Sequence, residues 1–422
     1  MPRLNQLPYF IIKPFESNNI KIQKYWDIAF EPDYSKTEDQ WADEIVNTLS
    51  ESVKMRLISD VPLGAFLSGG IDSSSVVALM SKVSNDPVKT FSIGFKEERY
   101  NELQYARLIA KRYKTEHHEM IVEPESIELL PKLITAYDEP FADSSAIPTY
   151  YVSKFAREYV TVVLSGDGGD ELFAGYNAFA KMMQLNKNPL NNVFTNKFVF
   201  KNINKIIPDY LYGKGYSYYL SKDKDNIGAF FCMWKDYERK KLYNKETITS
   251  LNGYMAEDEK LLLSKNSKSD FLSRMQELHI KTYLVDDILT KVDRASMMNS
   301  LETRVPMLDH KFAELSFRIP SDLKLRGNNK KYILKKALGS FLPDEVINHR
   351  KQGFAIPLSY WFKDDLKDYV YDELTSSTSK MLDYFNKKTI IDTIKHHQKG
   401  IRDYSGKLWS LLFFNEWLKQ NN

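Results

Sequence analysis

Residues 65–75 read Ala65-Phe-Leu-Ser-Gly-Gly-Ile-Asp-Ser-Ser-Ser75. An apolar run passes into Ser68-Gly69-Gly70, and a helix signal begins near Asp72. Two glycines let the backbone turn tightly and leave no side chain in a ligand's way. The hydroxyls of Ser68, Ser73 and Ser74 can donate to phosphate oxygens. Free N–H groups at the helix start point the same way, and the helix dipole favours an anion there. The carboxyl end of a parallel strand is where open α/β sheets bind ligands. Gly-Gly alone would fit an ordinary strand-to-helix turn. The full Ser-Gly-Gly-x-Asp-Ser string is more specific than that.

The flanks supply the frame. Upstream, Thr37 and Gln40 form a capping box, and Trp41, Ile45, Leu49, Val53 and Leu57 recur every four residues on one helix face. Downstream, residues 61–67, 89–95, 117–122 and 159–164 read as strands. Residues 73–83, 102–113, 126–137 and 147–158 read as helices. Four short apolar strands separated by helices predict a parallel sheet with helices on both faces. The strand signal fades after about residue 185. Residues 186–270 read as helices and loops, and the patterns at 271–300, 332–341 and 409–418 predict a mainly α-helical C-terminal region. Residues 9–12 are strand-like, and the first 30 residues are too short for a domain.

A second glycine-rich turn follows the fourth strand: Val162-Val-Leu-Ser-Gly-Asp-Gly-Gly-Asp-Glu-Leu-Phe-Ala-Gly-Tyr176. It carries Asp167, Asp170 and Glu171. With Asp72 these are hard oxygen ligands facing a phosphate cradle, and magnesium binds through one or two carboxylates plus substrate phosphates. Acids at a helix start also serve as simple caps; the first loop tips the reading toward a metal–nucleotide site.

Composition narrows the classes. The 422 residues suggest two or three domains at about 150 residues each. A net charge of +3 disfavours a dedicated nucleic-acid binder. The single cysteine, Cys232, excludes internal disulfides and Cys-cluster metal sites, and fits a reducing, cytoplasmic setting. No apolar run reaches about 18 residues, so no membrane span is expected, and the first ten residues do not read as a signal peptide.

The first string resembles the signature of the PP-loop ATP pyrophosphatases, and the Walker string Gly-x-x-x-x-Gly-Lys-Ser/Thr does not occur. The two loops together are similar to those of the synthetase domain of class B, glutamine-using asparagine synthetases. Four further stretches agree: residues 90–95, 138–149, 291–309 and Arg350-Lys-Gln-Gly-Phe-Ala-Ile-Pro357. The resemblance covers about residues 25–420 and implies an adenine-nucleotide-hydrolase-like fold. It implies main-chain contacts to adenine from Leu67 and Ile93. Pyrophosphate would be held by Ser68, Gly69, Gly70, Ser73 and Ser74, and the ribose and α-phosphate would lie beside Ser165 and Gly166. Asp72 and Asp170 match magnesium ligands. Asp167 sits where the family carries Glu and lactam-forming relatives carry Tyr, and could orient or deprotonate the attacking amine. Lys351 matches a lysine that neutralises charge as adenylate forms.

The implied activity is ATP-dependent amide formation with ATP and magnesium, aspartate being the expected acceptor. The family's glutaminase domain begins with a cysteine after the initiator Met; here Pro2 stands there. Residues 1–30 are therefore expected to be a remnant or connection, and 31–422 the ligase domain. Nitrogen would come from ammonia, a separate glutaminase subunit or an amine on another substrate. A homodimer is a further expectation. Two rivals stay open: another acceptor (a sugar acid, a peptide or a β-lactam precursor), and a non-catalytic nucleotide-binding subunit. Lys291, Asp293, Arg294, Glu302 and Arg304 lie in an apolar helix and its exit, as an ion-pair network or as substrate contacts. His117 and His118 read as packing or surface residues, Cys232 as a core thiol, and the basic run 239–241 as a solvated face.

Overall fold

Helix α1 (Glu38–Arg56) begins with the expected capping box. Thr37 N–H donates to the Gln40 carboxamide (2.8 Å), and Gln40 N–H donates to the Thr37 hydroxyl (3.3 Å). Its apolar face is fully buried at Trp41, Ile45, Leu49 and Val53, with Leu57 partly buried beside them. The fold is taken from a computed structural model, which describes residues 9–12, 21–187, 197–222, 227–254, 269–349 and 356–421.

Strands β1 (Tyr9–Ile12) and β2 (Lys21–Lys24) pair antiparallel as a hairpin. The main sheet contains β3 (Leu63–Phe66), β4 (Lys89–Gly94), β5 (Glu116–Ile121), β6 (Val162–Leu164) and β7 (Glu302–Arg304) in the order β5-β4-β3-β6-β7, all parallel. Four strands were expected, and the structure adds a fifth. Glu302-Thr-Arg304 is polar because it closes the sheet's edge, with Glu302 exposed, so hydrophobic pattern does not mark it.

Helices α2 (Ile71–Val83) and α3 (Leu103–Tyr113) follow β3 and β4. They share one core with α1, to which β6 contributes Leu164. Val163 points the other way, into a core with Phe91 of β4 and with Val152 and Ala156 of helix α4 (Ala146–Arg157). Successive strand residues thus serve opposite faces, as a doubly covered sheet requires. The C-terminal region is helical, with Lys367–Thr375, Lys387–Gln398 and Ser405–Asn421 building a further core around Trp361, Trp409 and Phe413. Between sheet and C-terminal region runs a long helix from Phe271 to Met297. Its middle part, Ile280–Leu289, is wound as a π-helix, a rare geometry frequent at functional sites. Trp26, Ile28 and Phe30 pack against the α1–α3 core, and the Trp26 indole N–H donates to Glu314 (2.9 Å). No helix among the described residues is long and apolar enough to cross a membrane.

The chain moves outward from β3 through β4 to β5, then returns to add β6 on the other side of β3. The crevice beyond the carboxyl ends of β3 and β6 is therefore the topological switch point of the sheet.

Trp41 anchors α1 with no accessible surface, and its indole N–H has no hydrogen-bond partner among the described residues. Trp41→Ala is expected to cost about 3–5 kcal/mol in urea unfolding. Trp41→Phe should cost clearly less, because no hydrogen bond is lost; equal losses would show that the indole N–H matters.

Candidate functional site

The β3 loop folds around its own hydroxyls. Ser68 and Ser73 hydroxyls lie 3.0 Å apart, Ser68 N–H donates to Ser73 Oγ (3.2 Å), and Gly70 N–H donates to Ser68 Oγ (3.3 Å). Gly69 has φ +81°, and a Cβ there would meet the backbone of Tyr105 and Ala106 at the start of α3. Asp72 falls in the first turn of α2, beside the free N–H groups of that helix.

The β6 loop presses directly onto the β3 loop. A Cβ at Gly166 would lie 2.5 Å from Ser73 N, so only glycine permits the approach. Gly169 is likewise hemmed in by the Asp72 carboxylate, and Gly175 by Asp170 and the Lys331 side chain. Ser165 Oγ donates to Asp167 (2.8 Å).

Asp72 and Asp170 converge on one ammonium. Lys331 Nζ donates to both Asp72 oxygens (2.7 and 2.6 Å) and lies 2.6 Å from Asp170 Oδ1. Side-chain exposures are 6% for Lys331, 7% for Asp72 and 12% for Asp170. Sequence reasoning missed Lys331, which immediately precedes the helix Tyr332–Leu338. The one available signal was two buried acids in need of a counter-charge. Next to Asp170, burial pushes the Glu171 carboxyl up to about 7 and the Asp170 charge adds to the rise. The Tyr176 hydroxyl, which donates to Glu171, works the other way.

Two cavities meet here. The first is lined by Leu67, Ser68, Gly70, Asp72, Ser73, Ile93, Ser165 and Gly166, eight of the residues expected around the nucleotide. Gly69 and Ser74 are not among its lining: Gly69 makes the turn, and Ser74 is fully buried with its N–H on Gly70 O (3.0 Å). Leu67 N–H donates to Phe91 O (2.9 Å), and Leu67 O accepts from Ser92 Oγ. The second cavity, of about 610 Å³, is lined by Asp143, Asp170, Glu171 and Tyr283 among others. Gly166, Asp167 and Lys291 line both.

Lys291 is the one of the five charged helix residues that lines these cavities. Its Nζ binds Asp143 (2.9 Å) and Ser145 Oγ (2.8 Å). Burial opposes the ammonium, but Asp143 holds Lys291 above its ordinary range. Burial opposes the Asp143 carboxylate too, yet Lys291 and the Ser145 hydrogen bonds hold it low. Asp287, on the π-wound turns, is pushed up by burial and by the neighbouring Asp143 charge. Arg304 instead pairs with Glu302 (2.6 Å) and with the carbonyls of Arg56 and Ile58, while Asp293 and Arg294 are exposed.

His117 bonds to Thr90 (2.9 Å), His118 stacks on Phe91, and buried Cys232 donates to Gly228 O (3.4 Å). Lys351 lies outside the described residues. No group of three or more His, Cys, Asp or Glu poised for a metal occurs among the described residues. Two carboxylates within reach of one ammonium still fit magnesium, which takes few protein ligands and shares substrate phosphates.

The asparagine synthase family matches residues 44–419. The chain is 32% identical over 413 residues to asparagine synthetase (glutamine-hydrolyzing) 1 of Bacillus subtilis (strain 168), covering 97% of this chain and 63% of that protein. It is 38% identical over 299 residues to a putative asparagine synthetase (glutamine-hydrolyzing) 2 of Methanocaldococcus jannaschii, covering 68% and 55%. At 25% identity over 402 residues it also resembles amidase chry2 of Gibberella zeae, covering 84% and 58%. The chain thus spans less than two thirds of the length of these relatives. With the match running from α1 across both glycine-rich loops to the last helix, the chain belongs to the asparagine synthase family.

Proposed function

We propose that the chain is an ATP-dependent ligase that converts a carboxylate into an amide, with aspartate as acceptor. One observation carries the reading. The two loops meet at the switch point with Asp72 and Asp170 on one ammonium, and their cavity passes Asp167 into a second one large enough for an acceptor. Two of the relatives are named asparagine synthetases, which supports the acceptor assignment.

In this reading the β-carboxylate oxygen of aspartate attacks the α-phosphorus of ATP. The bond to the β-phosphate oxygen breaks and pyrophosphate leaves. Ammonia then attacks the acyl carbon of β-aspartyl-AMP, the bond to the phosphate oxygen breaks, and asparagine and AMP result. Asp167, between the cavities, takes the proton that ammonia loses. The Ser68 and Ser73 hydroxyls and the first N–H groups of α2 hold phosphate oxygens. Asp72 and Asp170 would hold magnesium, which neutralises charge on the departing pyrophosphate. Lys291, kept charged by Asp143 and lining both cavities, would face the acceptor carboxylate beside the nucleotide. The residues mainly position and neutralise reactants.

A second reading keeps the chemistry and changes the acid. The second cavity, at about 610 Å³, exceeds what aspartate alone fills, and one relative is named an amidase.

ATP–pyrophosphate exchange across a panel of acids tests both readings. Exchange with aspartate supports the first and exchange with a larger acid the second. ATP binding without exchange for any acid would favour a nucleotide-binding subunit. Asp72→Asn and Asp170→Asn should each lower exchange by about 100-fold or more with the fold retained by circular dichroism. Near-normal exchange would remove them as metal ligands.

Lys351→Ala should lower turnover far more than ATP affinity, since its charge is used as charges separate. A change confined to affinity would make it a binding residue only.

Nitrogen supply gives a further test. Family glutaminases use a cysteine nucleophile, and the one thiol of these 422 residues, Cys232, is buried and bonded to Gly228 O. The chain should form product from ammonium but not from glutamine. Neutral NH₃ is the attacking species, so turnover should rise with pH until another group titrates. Glutamine-dependent turnover by the chain alone, unchanged in Cys232→Ser, would demand a different glutaminase site.

A further inference from the structure

We propose that Lys331 is a built-in counter-ion that bars free divalent cations from the Asp72–Asp170 pair, so that a cation enters only together with nucleotide phosphates. The proposal rests on the reading of this crevice as a metal–nucleotide site.

Three features carry it. Lys331 Nζ sits 2.6–2.7 Å from both oxygens of Asp72 and 2.6 Å from Asp170 Oδ1, where a small cation ligated by both acids would sit. The two acid oxygens can lie no further apart than twice that distance, so little movement would bring both onto one ion. All three side chains are largely buried, so solvent screens the contact poorly.

The position is also built. Lys331 takes the left-handed backbone region at φ +54°, which is uncommon for a side-chain-bearing residue and is held by surrounding structure. Its stem runs past Gly175, where a Cβ would collide with it.

The energetics then set an order of events. A bare cation entering the acid pair would have to expel a buried ammonium and leave it without compensation. A triphosphate changes this. It arrives at the Ser68, Gly70 and Ser73 cradle next to Asp72 and brings anionic oxygens that can receive the displaced ammonium. Metal and nucleotide therefore bind with positive coupling, and Lys331 is its source. Lys331 acts here as a positioning residue for the acid pair.

The test uses the full chain and Mn²⁺, with and without the α,β-methylene analogue of ATP, read as Mn²⁺ retained with the protein in equilibrium dialysis against the same concentration of analogue. The wild type should bind one Mn²⁺ with the analogue and none without it at the same concentrations. Lys331→Met should bind Mn²⁺ without nucleotide, about tenfold or more tighter than the wild type does. The gain should vanish in the Lys331→Met/Asp72→Asn double variant. Wild-type binding that is equally tight with and without the analogue overturns the proposal. So does absence of Mn²⁺ binding even with the analogue, or a folded Lys331→Met that binds the analogue and gains no Mn²⁺. Should Lys331→Met fail to fold, Lys331→Gln, which keeps the reach without the charge, takes its place and should show the same gain. Exchange activity together with nucleotide-independent Mn²⁺ binding would sink this inference and leave the ligase reading standing. Analogue-dependent Mn²⁺ binding without exchange for any acid would do the reverse.

Discussion

The close approach of two loops at Gly166 and Ser73 is the constraint on which the rest of this molecule depends. At that distance backbone meets backbone and no side chain fits between them. The parallel pairing of β3 with β6 brings the loops side by side, and the reversal of strand order at β3 opens the crevice beyond them. Glycines at the contact points then let Asp72 and Asp170 come from different strands to one place. Any widening here would separate the acids and break the passage from one cavity to the next.

Charge is arranged with the same economy. Four carboxylates face the second cavity, and they are managed in three ways. Asp170 meets Lys331, and Asp143 meets Lys291. Glu171 is buried next to Asp170 and is driven toward its neutral form, and Asp167 is held by the Ser165 hydroxyl. Buried charge of one sign is tolerated because cations from remote parts of the chain, at positions 291 and 331, are carried to it. The π-wound stretch Ile280–Leu289 belongs to this arrangement, since it delivers Asp287 next to Asp143 just before Lys291.

Features written in local sequence were legible. The capping box at Thr37 and the four-residue spacing from Trp41 to Val53 depend only on neighbours, and both appear as read. The first loop was legible because strand, glycines, hydroxyls and helix start follow one another within eleven residues. Strand β7 was not, because a polar edge strand is defined by its partner and not by its own pattern. Lys331 was invisible for a related reason: its partner Asp72 lies 259 residues away, and no local pattern encodes that distance. Lys291 was half legible, as one of five charges in an apolar helix. The sequence named the set, and the fold picked the member that faces the cavities.

The distance between Lys331 and its acids has a consequence for how the protein is made. Ribosomal synthesis delivers Asp72 and then Asp170 well before position 331. At about 5–20 residues per second the interval after Asp170 is on the order of ten seconds or more. Until Lys331 emerges, closing the two loops would press two carboxylates together in a dry crevice. Until then Asp72 and Asp170 lack the ammonium that contacts both of them in the finished fold. β7 reaches the sheet edge in the same late interval, since it too lies far downstream of β6. The site thus cannot be completed before position 331 has been made, and its completion requires most of the chain.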